Sequence, residues 1–129
     1  MARININTGT SANDGTGDPL RTAFISTNAN FTELYQGGGG TRAAIAASDV
    51  DFASAQVFTK TMTGDTTFTF SNASIGMVKD LIITGSFVPT FPVGTKIIAG
   101  TYDGTVNNFI QVVVTDTAEY WLSISKEQA

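Results

Sequence analysis

Hydrophobic residues recur with two different periods along this chain, and the change comes after a run of four glycines. Before it, at ~100° per residue, Leu20, Ala23, Phe24, Thr27, Phe31, Leu34 and Tyr35 fall within one third of a helix circumference. Arg21, Thr22, Ser26, Asn30, Glu33 and Gln36 fall elsewhere. The pattern predicts an amphipathic helix over residues 19–36, about 27 Å long at ~1.5 Å per residue. Asp18 suits the N-cap, because a carboxylate accepts a backbone N–H that the helix leaves unpaired. Pro19 suits the first helical position, where a missing N–H costs nothing. Gly37 suits the stop, and residues 37–40 read as a flexible hinge with no side chains to pack.

After the glycines the period becomes two. Residues 57–62 alternate, and residues 66–70 alternate with Phe68 and Phe70 on one face. Gly64 and Asp65 between them predict a hairpin. Residues 78–84 are apolar on both faces, as in a central strand. Phe87, Pro89 and Phe91 follow at period two, with the prolines placing this piece at an edge. Residues 95–99 form a short strand, and residues 102–108 are rich in turn residues. Residues 109–115 and 119–125 predict a second hairpin, with Tyr120, Leu122 and Ile124 on one side. Residues 41–55 fit a short helix or an irregular connector. Ile4 and Ile6 alternate with polar neighbours in an extended arm, which would add to a sheet of this or a neighbouring chain. The expected fold is mainly β: an N-terminal arm and one amphipathic helix, then a small antiparallel β-sandwich of about six or seven strands. The expected division is residues 1–40 for arm, helix and glycine linker, and 41–129 for the sandwich.

Composition narrows the chemistry. The chain has 129 residues, 7 basic and 11 acidic, with a net charge of −4. Its basic residues are scattered, so no patch for nucleic acid or an anionic membrane is expected. With no cysteine and no histidine, one chain cannot build Ser–His–Asp or Cys–His catalysis, disulfides or thiolate metal sites. No apolar run approaches ~20 residues and no signal-peptide pattern opens the chain, so a soluble protein without a secretory address is expected. The NDGTGD stretch carries Asn13, Asp14 and Asp18 but lacks the spacing and closing glutamate of a calcium loop. A turn leading into a helix cap explains it, and no metal or cofactor is expected. The acids of the β region sit in turn-like positions, so the chain reads as non-enzymatic. Tyr102, Tyr120 and Trp121 could offer a stacking platform for a glycan, against the alternative that they fill a core or an interface.

The segment TGTSANDGTGDPLRTAFISTNANFTELY, residues 8–35, resembles a segment near the N-termini of structural proteins of tailed bacteriophages. The resemblance runs through Asp14, Gly15, Gly17, Asp18, Pro19, Arg21, Ala23, Phe24, Asn28, Asn30, Phe31, Glu33, Leu34 and Tyr35. Residues 56–72 are similar to a β-strand pair of phage fibre and decoration proteins. The two stretches cover about a third of the chain. They imply a virion protein, with an N-terminal attachment segment ahead of an exposed, usually trimeric β domain. In that reading Leu20, Phe24, Phe31, Leu34 and Tyr35 join subunits or dock on the particle. The implied partners are further copies of the chain and capsid or tail proteins; a host-surface glycan is instead the partner that Tyr102, Tyr120 and Trp121 would take.

Overall fold

The computed structural model describes residues 4–37 and 41–128, with the backbone alone for residues 35–37. The chain forms two compact units, Met1–Gly39 and Gly40–Ala129. It is mainly β, with one helix and ten strands among the described residues.

In the first unit the helix α1 spans Leu20–Gly37. Its first turn closes with the Ala23 N–H donating to Pro19 O at 3.0 Å, so Pro19 sits at the cap, one residue later than the sequence pattern suggests. Asp18 does not cap with its side chain. Its carboxylate accepts the Asn7 N–H at 2.9 Å, and its own N–H donates to Asn7 O at 2.8 Å. These two bonds tie together the ends of a loop over residues 7–18. The arm does not join a sheet among the described residues. The Ile4 N–H donates to Asn30 Oδ1 at 2.8 Å, and Asn30 Nδ2 donates to Ile4 O at 3.0 Å. One amide side chain thus satisfies both backbone groups of an arm residue. Gly37 belongs to α1, and residues 38–40 of the expected hinge lie outside the described residues.

The second unit holds β1 (Arg42–Ala44), β2 (Asp49–Asp51), β3 (Val57–Thr61), β4 (Thr66–Thr67) and β5 (Thr69–Ser71). It continues with β6 (Val78–Thr84), β7 (Pro89–Thr90), β8 (Thr95–Ala99), β9 (Asn108–Asp116) and β10 (Glu119–Lys126). One six-stranded sheet runs β1-β3-β6-β9-β10-β8, and two-stranded sheets pair β2 with β5 and β4 with β7. The region expected as helix or connector supplies β1 and β2.

The expected antiparallel sandwich is corrected by the pairing. The β1–β3, β3–β6, β2–β5, β4–β7 and β8–β10 pairs are all parallel. Only β6–β9 and β9–β10 are antiparallel. Arg42 lies beside Val57 and Val57 beside Asp80, while Asp49 pairs with Thr69 and Thr66 with Pro89. The chain therefore travels through successive short sheets and returns to stack strand on strand, as in a short solenoid. Parallel neighbours need a long crossover, and here other strands supply it in place of a helix.

The hairpin expected at Gly64 and Asp65 does not form. Past that turn the Thr66 N–H donates to Val88 O at 3.1 Å and the Phe68 N–H to Thr90 O at 2.7 Å. Alternation identifies a half-buried strand without naming its partner. The second hairpin, β9–β10, forms where expected, with Tyr120, Leu122 and Ile124 all buried.

Side chains of the six-stranded sheet and of the β2–β5 pair meet Phe68 and Phe91, which follow β4 and β7, in one core that includes Val50, Phe52, Phe58, Leu81, Ile83, Ile110, Val112 and Leu122. Phe70 bridges layers, 5.3 Å from the Phe52 ring and 4.9 Å edge-on to Tyr120. In β6 the inward row is Lys79, Leu81 and Ile83. Burial pushes the Lys79 ammonium pKa down, against the smaller pull of the Asp51 charge. Its Nζ donates to Ala55 O at 2.8 Å and Gln56 Oε1 at 3.2 Å, which ties β6 to the connector before β3. Gly100 ends β8 with φ +77°, and a Cβ there would overlap Ile124 O. Only glycine lets the chain leave β8 this close to β10.

Candidate functional site

Two groups of exposed side chains stand apart from the core, one on each unit. On α1, Leu20 is 74% exposed, Phe24 60%, Phe31 55% and Leu34 58%. Four large apolar side chains thus share one open helical face. The flank that carries Asn30 is the covered one, with Ser26 buried and Ala23 half-buried, and Thr27, within the stripe, is half-buried as well. The Tyr35 side chain lies outside the described residues. Amphipathicity is therefore present, but in one chain the apolar face is open to solvent, as are the polar Arg21, Thr22, Asn28 and Thr32.

The aromatic trio is not brought together. Tyr120 is a core residue packed on Phe70, so it is withdrawn as a glycan contact. Trp121 is next in the strand and faces the opposite side of the sheet, because successive strand residues alternate. Tyr102 is half-buried, and its hydroxyl donates to Gly85 O at 2.8 Å. Burial, with a smaller contribution from the Asp103 charge, pushes its phenol pKa up. With Phe87, Val88, Phe91 and Ile97 it lines an open groove of about 630 Å³ that Trp121 does not reach.

Trp121 is 40% exposed, and sequence reasoning missed the groups that hold it. Its Nε1–H donates to Glu119 Oε1 at 2.9 Å, and Thr115 Oγ1 donates to the same oxygen at 2.8 Å. Lys96 Nζ reaches Glu119 Oε2 at 2.9 Å and stands 5.7 Å from the Trp121 ring centroid. These bonds, that from Lys96 first, lower the Glu119 carboxyl pKa to about 2. The parallel β8–β10 pairing sets Lys96 beside Trp121. The separation in sequence carried no signal for it.

The loop over residues 7–18 has its own centre in Asp14. Its carboxylate accepts from Thr10 N–H (2.7 Å) and Oγ1 (2.6 Å), Ser11 N–H (2.7 Å), and Thr16 N–H (2.9 Å) and Oγ1 (2.8 Å). Gly9, at φ +81°, lies so near that a Cβ there would stand 2.7 Å from Asp14 Oδ1. The donors, led by the Thr10 hydroxyl, hold the Asp14 carboxyl well below the usual carboxylate range. A depressed carboxyl pKa stabilises the closed loop at every pH above its ordinary value of 3.8, and the effect fades only as pH falls further toward the folded value. The protection of the Thr10, Ser11 and Thr16 amides, taken relative to free-peptide exchange at each pH, should therefore be high and unchanged from pH 7 to pH 4. Asp14→Ala should speed their exchange at least tenfold. Equal exchange in the variant would show that the loop closes without this carboxylate.

Among the described residues no three His, Cys, Asp or Glu side chains gather as a metal site, and no helix is long and apolar enough to cross a membrane. No family model, curated protein or solved structure matches the chain.

Proposed function

We propose that this chain is a non-enzymatic structural protein of a bacteriophage virion, a capsid-decoration or short head-fibre protein attached through its N-terminal unit. The resemblance of residues 8–35 supports the reading. The observation that carries it is the open stripe of Leu20, Phe24, Phe31 and Leu34 on a unit separate from the β unit. Contiguous apolar surface on a small unit marks an interaction site. Burying one Phe or Leu contributes about 1.5–3 kcal/mol. Two or three such anchors per subunit, repeated around a homotrimer, give tight multivalent attachment to a capsid or tail protein. The β unit then stands at the virion surface.

Antibody labelling of intact virions, viewed by electron microscopy, tests this. Label over the head is the expected result. Label confined to the tail would move the protein to a tail-fibre or baseplate adaptor role, and unlabelled particles would overturn the virion reading.

The exposed Trp121, steadied by Glu119 and flanked by Lys96, favours a second reading, a module that binds host-surface glycan on the β unit. A pre-set indole ring offers a stacking surface for a sugar. Binding on a glycan array that is lost in Trp121→Ala would support it, and an array without binding would end it.

A further inference from the structure

We infer that the open edge of β8 receives an extended, apolar segment of another protein, which adds to the six-stranded sheet as a further strand. The surface belongs wholly to the β unit, so it stands apart from the helical stripe of the attachment reading. Among the described residues β8 pairs with β10 alone, in parallel. The Tyr120 N–H donates to Gly94 O at 3.2 Å, and successive main-chain groups of a strand turn to opposite sides. The Lys96 main chain therefore faces β10, while the Thr95 C=O and the Ile97 N–H and C=O face the open edge. The Thr95 N–H is taken up by Pro92 O at 3.2 Å. Unpaired main-chain groups along a strand edge are a template for another extended chain.

The groove beside that edge selects what the added strand carries. Ile97 lies in register with Leu122, which is fully buried, yet Ile97 is 54% exposed. The core face of the sheet thus runs one strand past its cover. Phe87, Val88, Pro89, Phe91 and Tyr102 line the resulting groove of about 630 Å³ with Ile97. Three of its four hydroxyl side chains already donate within the protein: Tyr102 to Gly85 O, Ser86 to Gly104 O and Thr105 to Asp103 Oδ1. A sugar would find few free partners there, and an acyl chain would leave the β8 main chain unpaired. A peptide with apolar residues at alternate positions uses both the groove and the edge. Asp65 is the one charged side chain on the groove, its Oδ1 accepting the Val88 N–H at 2.9 Å. A basic residue at one end of the segment complements it. The chain's own extended arm does not qualify, because Asn30 already satisfies the Ile4 N–H and C=O.

A display library of short random peptides, selected on the full chain, tests this. Enriched peptides should carry apolar residues at alternate positions and Lys or Arg at one end. Ile97→Lys should weaken their binding roughly tenfold or more, since it sets a charge where an apolar contact is buried. Ile98 supplies the internal control: it is 58% exposed on the same strand but lies outside the groove, so Ile98→Lys should leave binding unchanged. Asp65→Asn keeps an acceptor for the Val88 N–H and should remove the preference for a basic end. N-methylation of one alternate set of peptide amides should abolish binding, because it removes main-chain donors and keeps every side chain. Bound peptide should also slow hydrogen exchange at the Ile97 N–H. No enriched peptide, enriched sequences with helical spacing, or binding that survives N-methylation of either set would each overturn the inference. So would an Ile97 N–H already protected in the protein alone, which would mean that a second copy holds the edge. None of these measurements involves a virion, so failure here and failure of the virion reading are told apart.

Discussion

Phe68→Ala should cost the β unit about 3–5 kcal/mol, the upper range for a single core truncation. The ring has no exposed surface and stacks on Phe91, with centroids 5.7 Å apart and 16° between planes. It sits between β4 and β5, where the chain passes from one short sheet to the next. Its own backbone is held by the bond to Thr90 O at 2.7 Å. That anchoring limits how far the chain can fall inward to fill the space. A residual cavity of about 100 Å³ would add about 2.4 kcal/mol to the transfer loss. A domain has about 5–15 kcal/mol in all, so this one change should remove much of the margin. In a thermal melt followed by far-ultraviolet circular dichroism the midpoint should fall by roughly 15 °C or more. A loss below about 1 kcal/mol would mean that the site collapses freely and that the sheets are not pinned there. Val93→Ala is the matching control, because Val93 is almost fully exposed.

Asn108→Leu should cost about as much by a different route. Asn108 is fully buried at the start of β9. Its Nδ2 donates to Asp103 O at 2.7 Å, Val106 O at 3.0 Å and Ile83 O at 3.3 Å, and its Oδ1 accepts the Asp103 N–H at 2.9 Å. One side chain thus serves four backbone groups and fixes the turn before β9 against the end of β6. Leucine keeps the volume and leaves three carbonyls and one N–H without that partner. Each unsatisfied buried group costs about 1–3 kcal/mol, and water entering the turn recovers some of it, so about 3–5 kcal/mol is expected. Asn108→Asp should fare no better, since a carboxylate cannot donate to the three carbonyls. Urea denaturation of the three proteins decides it. If the leucine variant unfolds at the wild-type midpoint, the turn is held by its other contacts.

The helix and the β9–β10 hairpin were legible because their causes are local. A 3.6-residue period, a proline at the start of α1 and a short turn at residues 116–118 each act within a few positions. The inward row of Tyr120, Leu122 and Ile124 followed from alternation alone. The same rule already separated Tyr120 from Trp121, and applied strictly it would have excluded their shared platform. Residues 57–70 misled for the opposite reason. Two alternating runs with Gly64 and Asp65 between them satisfy every local condition for a hairpin, and the competing parallel partners lie at Val78–Thr84 and Pro89–Thr90.

By itself the sequence determined where the periods change, that one long helix precedes a β-rich region, and which alternate residues turn inward. It also determined the absence of thiol and imidazole chemistry. Tertiary structure alone decided which strands are neighbours and that most of them run parallel. It alone turned Asn108 and Lys79 inward, set Lys96 beside Trp121 and aimed Asp18 at Asn7 in place of the helix. The division has a physical reason. Backbone period and turn geometry are fixed by a residue and its near neighbours. Strand pairing and the burial of a polar side chain depend on chain that arrives from beyond a residue's own turn or strand, and a linear pattern carries no record of that arrival.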